Sequence, residues 1–470
     1  MSGRRILFVV VLAALMAAAL VAGAATDPGR SVPAQLDPTA LRPGIGGSTA
    51  WFCPGLPPAV DDDGARLTVT NLGDAPAELS ITVQVDGGRA RRRSAVVGPE
   101  ATRTLLRSDL GPSGSVIVES RGAPVVVEDG VNGDPGTEVG PCASEAAPHW
   151  YFAAGTTRRG VEQWLVLSNP FATDARVDVT LRTDGGVRRP ERLQGLDLLR
   201  RTRIVVPVHS YAVRSARVAV EIDAAFGRVV AAQTTVFTPT AGSTGIASTL
   251  GAPVAAGHWW FAGVGVAEGT ESWVALASTG EADTKVTVQG LPGGGAVAAP
   301  VTVGLGRDEV VWVRLGQCSG DDPCIALVPG GRYGLDVRSD RNVPFTAQTL
   351  GRAVVGSGRS WATSLIGVAR PGPRWALAAT AVRGAGGPTV VAIANPGSAP
   401  VRTVVATLAG AGRAATRRTV TVPPGRQAAL TLPGRGGDTG VLVDADRPVV
   451  VGRIILGESD ATTAPGVRRP

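Results

Sequence analysis

Residues that enzymes use for acid–base chemistry, and that nucleic-acid-binding proteins use for stacking, are scarce in this chain. Histidine occurs three times, only 4% of the 470 residues are aromatic, and Lys285 is the single lysine. His149 and His258 occupy the same place in two sequence repeats, which favours a structural role beside a tryptophan. The arginine clusters at 89–93 and 200–203 lack interleaved aromatic residues, so we expect no nucleic-acid partner.

Motifs that identify common enzyme and cofactor-binding families are missing as well. No G-x-S-x-G string marks a hydrolase nucleophile, and the glycine-rich strings at 293–295 and 434–437 are not followed by the lysine of a phosphate-binding loop. The acidic runs at 61–63 and 321–322 lack EF-hand spacing and are interpreted as solvated loops. We therefore predict no catalytic residues, no cofactor and no metal, in a protein that is not an enzyme.

The only long apolar run lies at the N-terminus. Arg4 and Arg5 precede an uncharged segment from Ile6 to Ala25, which is just long enough to span a bilayer as a helix. The small residues at its end also suit a signal peptidase. Residues 1–25 are thus either a cleaved signal peptide or a retained transmembrane anchor. Both alternatives predict an extracytoplasmic protein, secreted or held to the membrane by one N-terminal helix.

Four cysteines fit an oxidising compartment. Cys318 and Cys324 flank a short loop that a disulfide would close naturally, which leaves Cys53 to pair with Cys142. Neither spacing is the C-x-x-C of a zinc site. We therefore predict two disulfides, one of which brackets a whole domain.

A tryptophan-led motif repeats along the chain. The string His-Trp-Tyr-Phe at 149–152 returns as His-Trp-Trp-Phe at 258–261, with weaker copies at Trp51 and Trp375. Each tryptophan is followed further along its repeat by two segments in which apolar and polar residues alternate. A turn rich in Asn, Pro or Gly separates the two segments. This pattern is the signature of a β-hairpin, so each repeat is predicted to be a unit of antiparallel sheet.

The repeat length predicts the fold class. Units of roughly one hundred residues with frequent turn signals are typical of immunoglobulin-like β-sandwiches, whereas propeller blades repeat at about 40–50 residues. We predict an all-β chain of about four tandem sandwiches, stacked through short connectors. The predicted segments are a signal or anchor at 1–25, a Pro/Gly-rich stalk at 26–49, sandwiches at 50–142, 148–250, 257–367 and 373–460, and a disordered tail at 461–470.

The tryptophans divide into repeated and unrepeated ones. Those that lead the repeats, and the pair Trp164 and Trp273 that match in register, are expected to fill cores or the seams between modules. Trp312 and Trp361 have no counterpart in the other repeats. Together with Tyr211, they are the aromatic residues that we expect to be available to face a ligand.

The strings at 150–156 and 164–170 carry a family resemblance. They resemble an uncharacterised actinobacterial family of exported, repeat-containing envelope proteins, catalogued as a domain of unknown function. The resemblance covers most of the exported body and is clearest in the second repeat. It implies a place in the cell envelope and supplies no catalytic residues.

These observations lead to a functional hypothesis. The net charge of +7 gives the body a basic surface that would gather anions. We predict a non-enzymatic, exported envelope protein, a scaffold or binding module that presents stacked sandwiches to a protein or an anionic surface polymer. The alternative is a carbohydrate-binding accessory protein, which needs Trp312, Trp361 or Tyr211 on an exposed flat face. An envelope hydrolase is the remaining alternative, because spacing alone does not exclude a catalytic triad.

Overall fold

Strands make up nearly all the regular structure, and the prediction of an all-β chain of tandem β-sandwiches is confirmed. The computed structural model describes residues 37, 40–42, 44, 48–61, 64–86, 88–111, 114–280, 282–354, 360–378, 388–408, 415–432, 439–456 and 461–470. The predicted signal or anchor at 1–25 lies outside these residues. Within the described part of the chain, no helix is both long and apolar enough to cross a bilayer.

The first sandwich shows how the sequence pattern builds each unit. Its elements are β1 (Thr49–Cys53), β2 (Arg66–Asn71), β3 (Ala77–Val85), β4 (Arg91–Val97), β5 (Thr102–Leu106), α1 (Arg107–Leu110), β6 (Gly114–Arg121), β7 (Val125–Gly133) and β8 (Gly136–Pro141). The sheet β1-β6-β3-β4 packs on the sheet β5-β2-β7-β8. Along β3, Leu79, Ile81 and Val83 are buried, because successive side chains of a strand point to opposite faces.

The second sandwich repeats this plan. Its strands are β9 (His149–Phe152), β10 (Val161–Ser168), β11 (Ala175–Thr183), β12 (Gly186–Arg188), β13 (Leu196–Leu198), β14 (Arg203–Pro207), β15 (Val218–Phe226), β16 (Val230–Phe237) and β17 (Gly245–Leu250). Three short 3-10 helices span Glu191–Leu193, Val208–Ser210 and Pro239–Ala241. One sheet has the order β12-β11-β15-β9, with β13 also paired to β11, and the other β14-β10-β16-β17.

The third sandwich adds one parallel strand to the plan. Its strands are β18 (His258–Gly265), β19 (Thr270–Ser278), β20 (Thr284–Pro292), β21 (Val301–Leu305), β22 (Val310–Gly316), β23 (Cys324–Ala326), β24 (Arg332–Ser339), β25 (Phe345–Ala353) and β26 (Ala362–Ile366). The sheets are β18-β24-β20-β21 and β23-β22-β19-β25-β26. The added β23 runs parallel to β22.

The fourth sandwich merges two strands into one long strand. Its strands are β27 (Gly372–Leu377), β28 (Thr389–Asn395), β29 (Val401–Thr407), β30 (Thr416–Val422), β31 (Arg426–Leu432), β32 (Val441–Leu456), β33 (Ala461–Pro465) and β34 (Val467–Arg468). β32 pairs with β27 and β29 through its first part and with β28 and β33 through its second. It therefore belongs to both sheets of the sandwich.

The leading tryptophan of every repeat is held in the same way. All four are at most 2% exposed, which confirms that they fill the cores. Each indole Nε1 donates over 2.8–3.1 Å to a backbone carbonyl at the corresponding place in a later strand. This carbonyl belongs to the first residue of β7 and of β25, to the residue before β16, and to the residue of β32 after which that strand changes sheets. The pairs are Trp51 with Val125, Trp150 with Val229, Trp259 with Phe345 and Trp375 with Val449. The two weaker sequence copies are thus full structural equivalents.

The four sandwiches form a closed ring, whereas the sequence predicted a stack. The strands β8, β17, β26 and β33 lie at the centre, where each contacts the next and β33 contacts β8. Around this axis, Glu138 accepts hydrogen bonds from Thr462 Oγ1 and from the amide of Ser248. One carboxylate of the first sandwich is therefore bonded to both of its neighbours in the ring.

Ring closure corrects two predicted segments. Residues 461–470, predicted to be a disordered tail, form β33 and β34, because Thr462, Pro465 and Val467 become buried when the last sandwich meets the first. Part of the predicted stalk is also packed: Leu41 is 6% exposed, and its amide donates to the Arg468 carbonyl over 2.7 Å.

A buried ion pair lies in the closing seam. Arg453 of the fourth sandwich and Glu128 of the first are 2.7 Å apart, and both side chains are fully buried. Glu128 also accepts a hydrogen bond from the amide of Ala378 over 3.0 Å. Gln348 has the equivalent role in the seam between the second and third sandwiches, where it accepts from the amides of Ala153 and Ala154. These two seams thus share the same contact, a strand side chain that accepts from the backbone of the neighbouring sandwich.

Candidate functional site

The candidate site lies in the seam between the second and third sandwiches and begins with the alternation of β19. Val274 and Leu276 enter the core of the third sandwich, so Trp273 and its alternate neighbours face the seam. On the adjacent strand β22, Trp312 lies opposite Ala275, and Arg314 lies opposite Trp273. Antiparallel register therefore gathers two tryptophans and an arginine on one face.

The second sandwich covers only part of this face. Small and apolar side chains close the seam, among them Ala153, Ala154 and Phe237. Beside them, the two sandwiches leave a cleft of about 290 Å³. Its lining from the second sandwich includes Thr156, Arg158, Arg159 and Arg217, and its lining from the third includes Glu271, Trp273, Trp312, Arg314, Asp322 and Arg352.

The cleft carries an excess of positive charge. Its lining has five arginines and two carboxylates, which gives a difference of 5 − 2 = +3. Two arginines are paired: Arg352 with Glu271 at 2.8 Å, and Arg217 with Asp322 at 2.7 Å. Arg158, Arg159 and Arg314 form no ion pair with the described acidic residues. The remaining charge would favour an anionic group.

Two buried donors in the cleft have no acceptor among the residues that the structure describes. They are Nε1 of Trp312, a residue only 7% exposed, and Nε of Arg314. The Arg314 guanidinium lies 5.7 Å from the ring centroid of Trp273, within the range of a cation–π contact. A buried donor without an acceptor costs about 1–3 kcal/mol. A ligand that brings an acceptor into the cleft would recover this free energy.

A disulfide places one of the two carboxylates. The structure contains both predicted bridges, Cys53–Cys142 and Cys318–Cys324. The second closes the loop that carries Asp322, and this loop is also fixed to β22 because the Arg314 amide donates to the Pro323 carbonyl over 2.7 Å. The loop thus reaches from the third sandwich to Arg217 of the second.

The three aromatic residues predicted to face a ligand are separated in space. Trp312 lies in the cleft, but Trp361, whose backbone lies against Gly245, does not line the cleft. Tyr211 follows a 3-10 helix in the second sandwich and is half-buried, as is Trp361. None of the three is an exposed side chain, so the flat stacking surface that the carbohydrate-binding alternative needs is not formed by them.

The sequence interpretation missed most of the cleft. It places Trp273 in a core or a seam by its match with Trp164, and both tryptophans lie in seams. The two seams differ chemically, because Trp164 Nε1 donates to Glu162 over 3.1 Å while Glu271, the equivalent of Glu162, pairs with Arg352. Alternation along β22 could have placed Arg314 beside Trp312. No sequence signal indicates the arginines that come from the second sandwich.

Comparisons with known proteins identify a family. No curated protein matches the chain. The crystal structure of Thermotoga maritima 1070 is similar over 23% of this chain and 94% of its own, at 12% identity and a TM-score of 0.20. A tetra-tandem repeat in the extending region of a large adhesion protein is similar over 90% of this chain and 99% of its own, at 14% identity and a TM-score of 0.12. The profile of DUF5719, a family of unknown function, matches residues 127–433, more than half of the sequence. The chain therefore belongs to the DUF5719 family.

Proposed function

We propose that this protein is a non-enzymatic, extracytoplasmic binding protein of the cell envelope. Its ligand is an anionic segment of a surface polymer or protein, held in the cleft between the second and third sandwiches. The observation that carries the proposal is the pair of buried donors, Trp312 Nε1 and Arg314 Nε, beside arginines that have no carboxylate partner. The two disulfides support an extracytoplasmic location, because such bonds persist in oxidising compartments.

The chemistry of the cleft favours a phosphate or carboxylate group. Arginine presents a planar fork of donors that matches the oxygens of either group, and charge-assisted hydrogen bonds are stronger than neutral ones. The indole rings of Trp273 and Trp312 offer apolar surface to the part of the ligand that links its charges. The closed ring of sandwiches supports ligand binding in the cleft. The second and third sandwiches form the two walls of the cleft, and their contacts in the ring hold these walls in place.

The donor pair gives the first prediction. We expect Arg314→Gln to weaken binding of short-chain polyphosphate or oligoglutamate at least about tenfold, because a hydrogen bond to a charged group contributes about 1.5–3 kcal/mol. Trp312→Phe, which keeps an aromatic ring but removes the N–H donor, should also weaken binding. Isothermal titration calorimetry measures both effects.

A matched control separates the cleft from the general charge of the surface. Arg338→Gln removes an exposed arginine from the other sheet of the third sandwich and should leave the affinity within about twofold. Equal affinities of the Arg314→Gln variant and the wild type would refute the proposal. Preferential binding of a neutral oligosaccharide would instead support the carbohydrate-binding alternative.

The disulfide loop gives a second prediction. Asp322 pairs with Arg217 in the position that an anionic ligand would take. Asp322→Asn should therefore free the Arg217 guanidinium and tighten binding of polyphosphate severalfold. The size of the effect follows from the strength of a half-exposed ion pair, which is about 0.2–1 kcal/mol. Asp321→Asn is the matched control, because it removes the same charge from the same loop. If the two variants bind alike, Asp322 does not compete with the ligand.

A further inference from the structure

We propose that arginine-rich edge strands form a second binding surface on the rim of the ring, and that its partner is a flexible linear polyanion. This inference rests on the proposed function only for the kind of partner, an anionic polymer. The surface itself lies outside the cleft. The arginines concerned belong to the fourth strand of three sandwiches or follow it directly: Arg91, Arg92 and Arg93 in the first, Arg188 at the end of β12 and Arg189 just after it in the second, and Arg417 and Arg418 in the fourth.

These arginines occupy equivalent positions. The strands β4, β12 and β30 each lie at the edge of the sheet that also contains the tryptophan-bearing strand. An edge strand has one open side, where side chains and backbone both face solvent. The repeat plan therefore places three basic edges at corresponding places around the ring.

The rim arginines are exposed and almost free of carboxylate partners. All seven side chains are exposed. Among the described residues, the single ion pair of this set joins Arg92 to Glu119 at 3.8 Å. Arg91 and Arg93 lie on the same face of β4 and repel one another, and β4, β12 and β30 contain no acidic residue that would offset their charge. A bound polyanion would neutralise it.

Protection of sheet edges does not account for the arginines. Charged side chains at an edge strand block pairing with a second molecule, and a single charge can serve this purpose. The corresponding edge strand of the third sandwich, β21, reads Val-Thr-Val-Gly-Leu and has no charged residue. An exposed edge of this fold therefore does not require arginine. Edge protection does not explain the arginine clusters on the other three sandwiches.

Ring closure brings the three basic edges into one arc. The fourth sandwich contacts the first through the closing seam, and the first contacts the second, where Arg203 pairs with Asp86 at 2.6 Å. The three arginine-bearing sandwiches are therefore consecutive, and the uncharged edge β21 interrupts the series once. A long flexible chain could contact neighbouring edges together, which raises its overall affinity above that for any one edge.

Chain length and salt distinguish rim binding from cleft binding. We expect Arg417→Ser/Arg418→Ser to weaken binding of long-chain polyphosphate at least fivefold and to make the dependence of log K on log salt shallower by about 1–2, since each charge contact releases counterions. Binding of short-chain polyphosphate in the cleft should not change. The control Lys285→Ser/Arg338→Ser removes two exposed charges from the third sandwich and should leave both affinities within about twofold.

Three outcomes decide the proposal. If long-chain polyphosphate binds the rim variant as it binds wild type, while Arg314→Gln weakens binding of short-chain polyphosphate as predicted, the rim proposal fails and the proposed function stands. If the wild type binds neither polyphosphate nor oligoglutamate, both fail. If the rim variant loses binding to phosphatidylglycerol vesicles but not to long-chain polyphosphate, the rim is a membrane surface and the polymer assignment is overturned.

Discussion

Arg453→Leu is expected to lower the free energy of unfolding by about 3–5 kcal/mol, since it leaves a buried carboxylate without its cation. In the wild type, Arg453 and Glu128 are 2.7 Å apart and fully buried in the closing seam. Urea titration followed by tryptophan fluorescence measures the loss, and small-angle scattering reports whether the ring opens.

The double variant Glu128→Gln/Arg453→Leu tests the physical cause. In the wild type, Glu128 accepts a hydrogen bond from the Ala378 amide over 3.0 Å. Glutamine at position 128 removes the charge but keeps an oxygen that can accept this hydrogen bond. Much of the lost stability should therefore return. A single variant within about 1 kcal/mol of wild type would contradict the expected penalty for an unpaired buried charge.

Trp375→Ala is expected to destabilise the protein by about 3–5 kcal/mol, the usual cost of removing a fully buried tryptophan. Trp375 is 0% exposed, and its Nε1 donates to the carbonyls of Gly372 and Val449. Thermal and urea denaturation measure the change. The test is demanding because Trp375 leads the repeat in which the sequence motif is weakest.

Two variants calibrate this result. Trp375→Phe keeps most of the buried surface and loses the hydrogen bonds, so it should cost about 1–2 kcal/mol. Trp361→Ala removes a half-buried tryptophan outside the repeat pattern and should cost less than Trp375→Ala. Equal losses from Trp361→Ala and Trp375→Ala would show that the leading position has no special role.

The sandwiches were predictable because their determinants are local. Alternation along strands such as β3, and a tryptophan at the start of each unit, need no knowledge of distant residues. The ring was not predictable in this way. Glu128 and Arg453 are 325 positions apart, and each is an ordinary strand residue in its own repeat. The segment 461–465 reads Ala-Thr-Thr-Ala-Pro, which becomes a strand only where the neighbouring sandwiches bury it.

The candidate site was predictable in part. Trp312 has no counterpart in the other repeats, which predicts a specific role, and it lies in the cleft. The charge of the cleft depends on side chains from two sandwiches and on a disulfide loop that directs Asp322 to Arg217. Trp361 shows the limit of the same argument, since it also lacks a counterpart and does not line the cleft. Repeat comparison identifies unusual residues but not their neighbours.

The position of β33 bears on how the chain matures. Domains of a long chain generally fold as units, and the N-terminal ones fold first during synthesis. The first sandwich can thus form early, yet its strand β8 gains its neighbour β33 only after the fourth sandwich has been synthesised, since Glu138 and Thr462 are 324 positions apart. A chain that ends before β33 would keep one side of the axis uncovered, with Glu138 lacking the hydroxyl of Thr462. Completion of the axis therefore links the final packing of the first sandwich to the synthesis of the fourth.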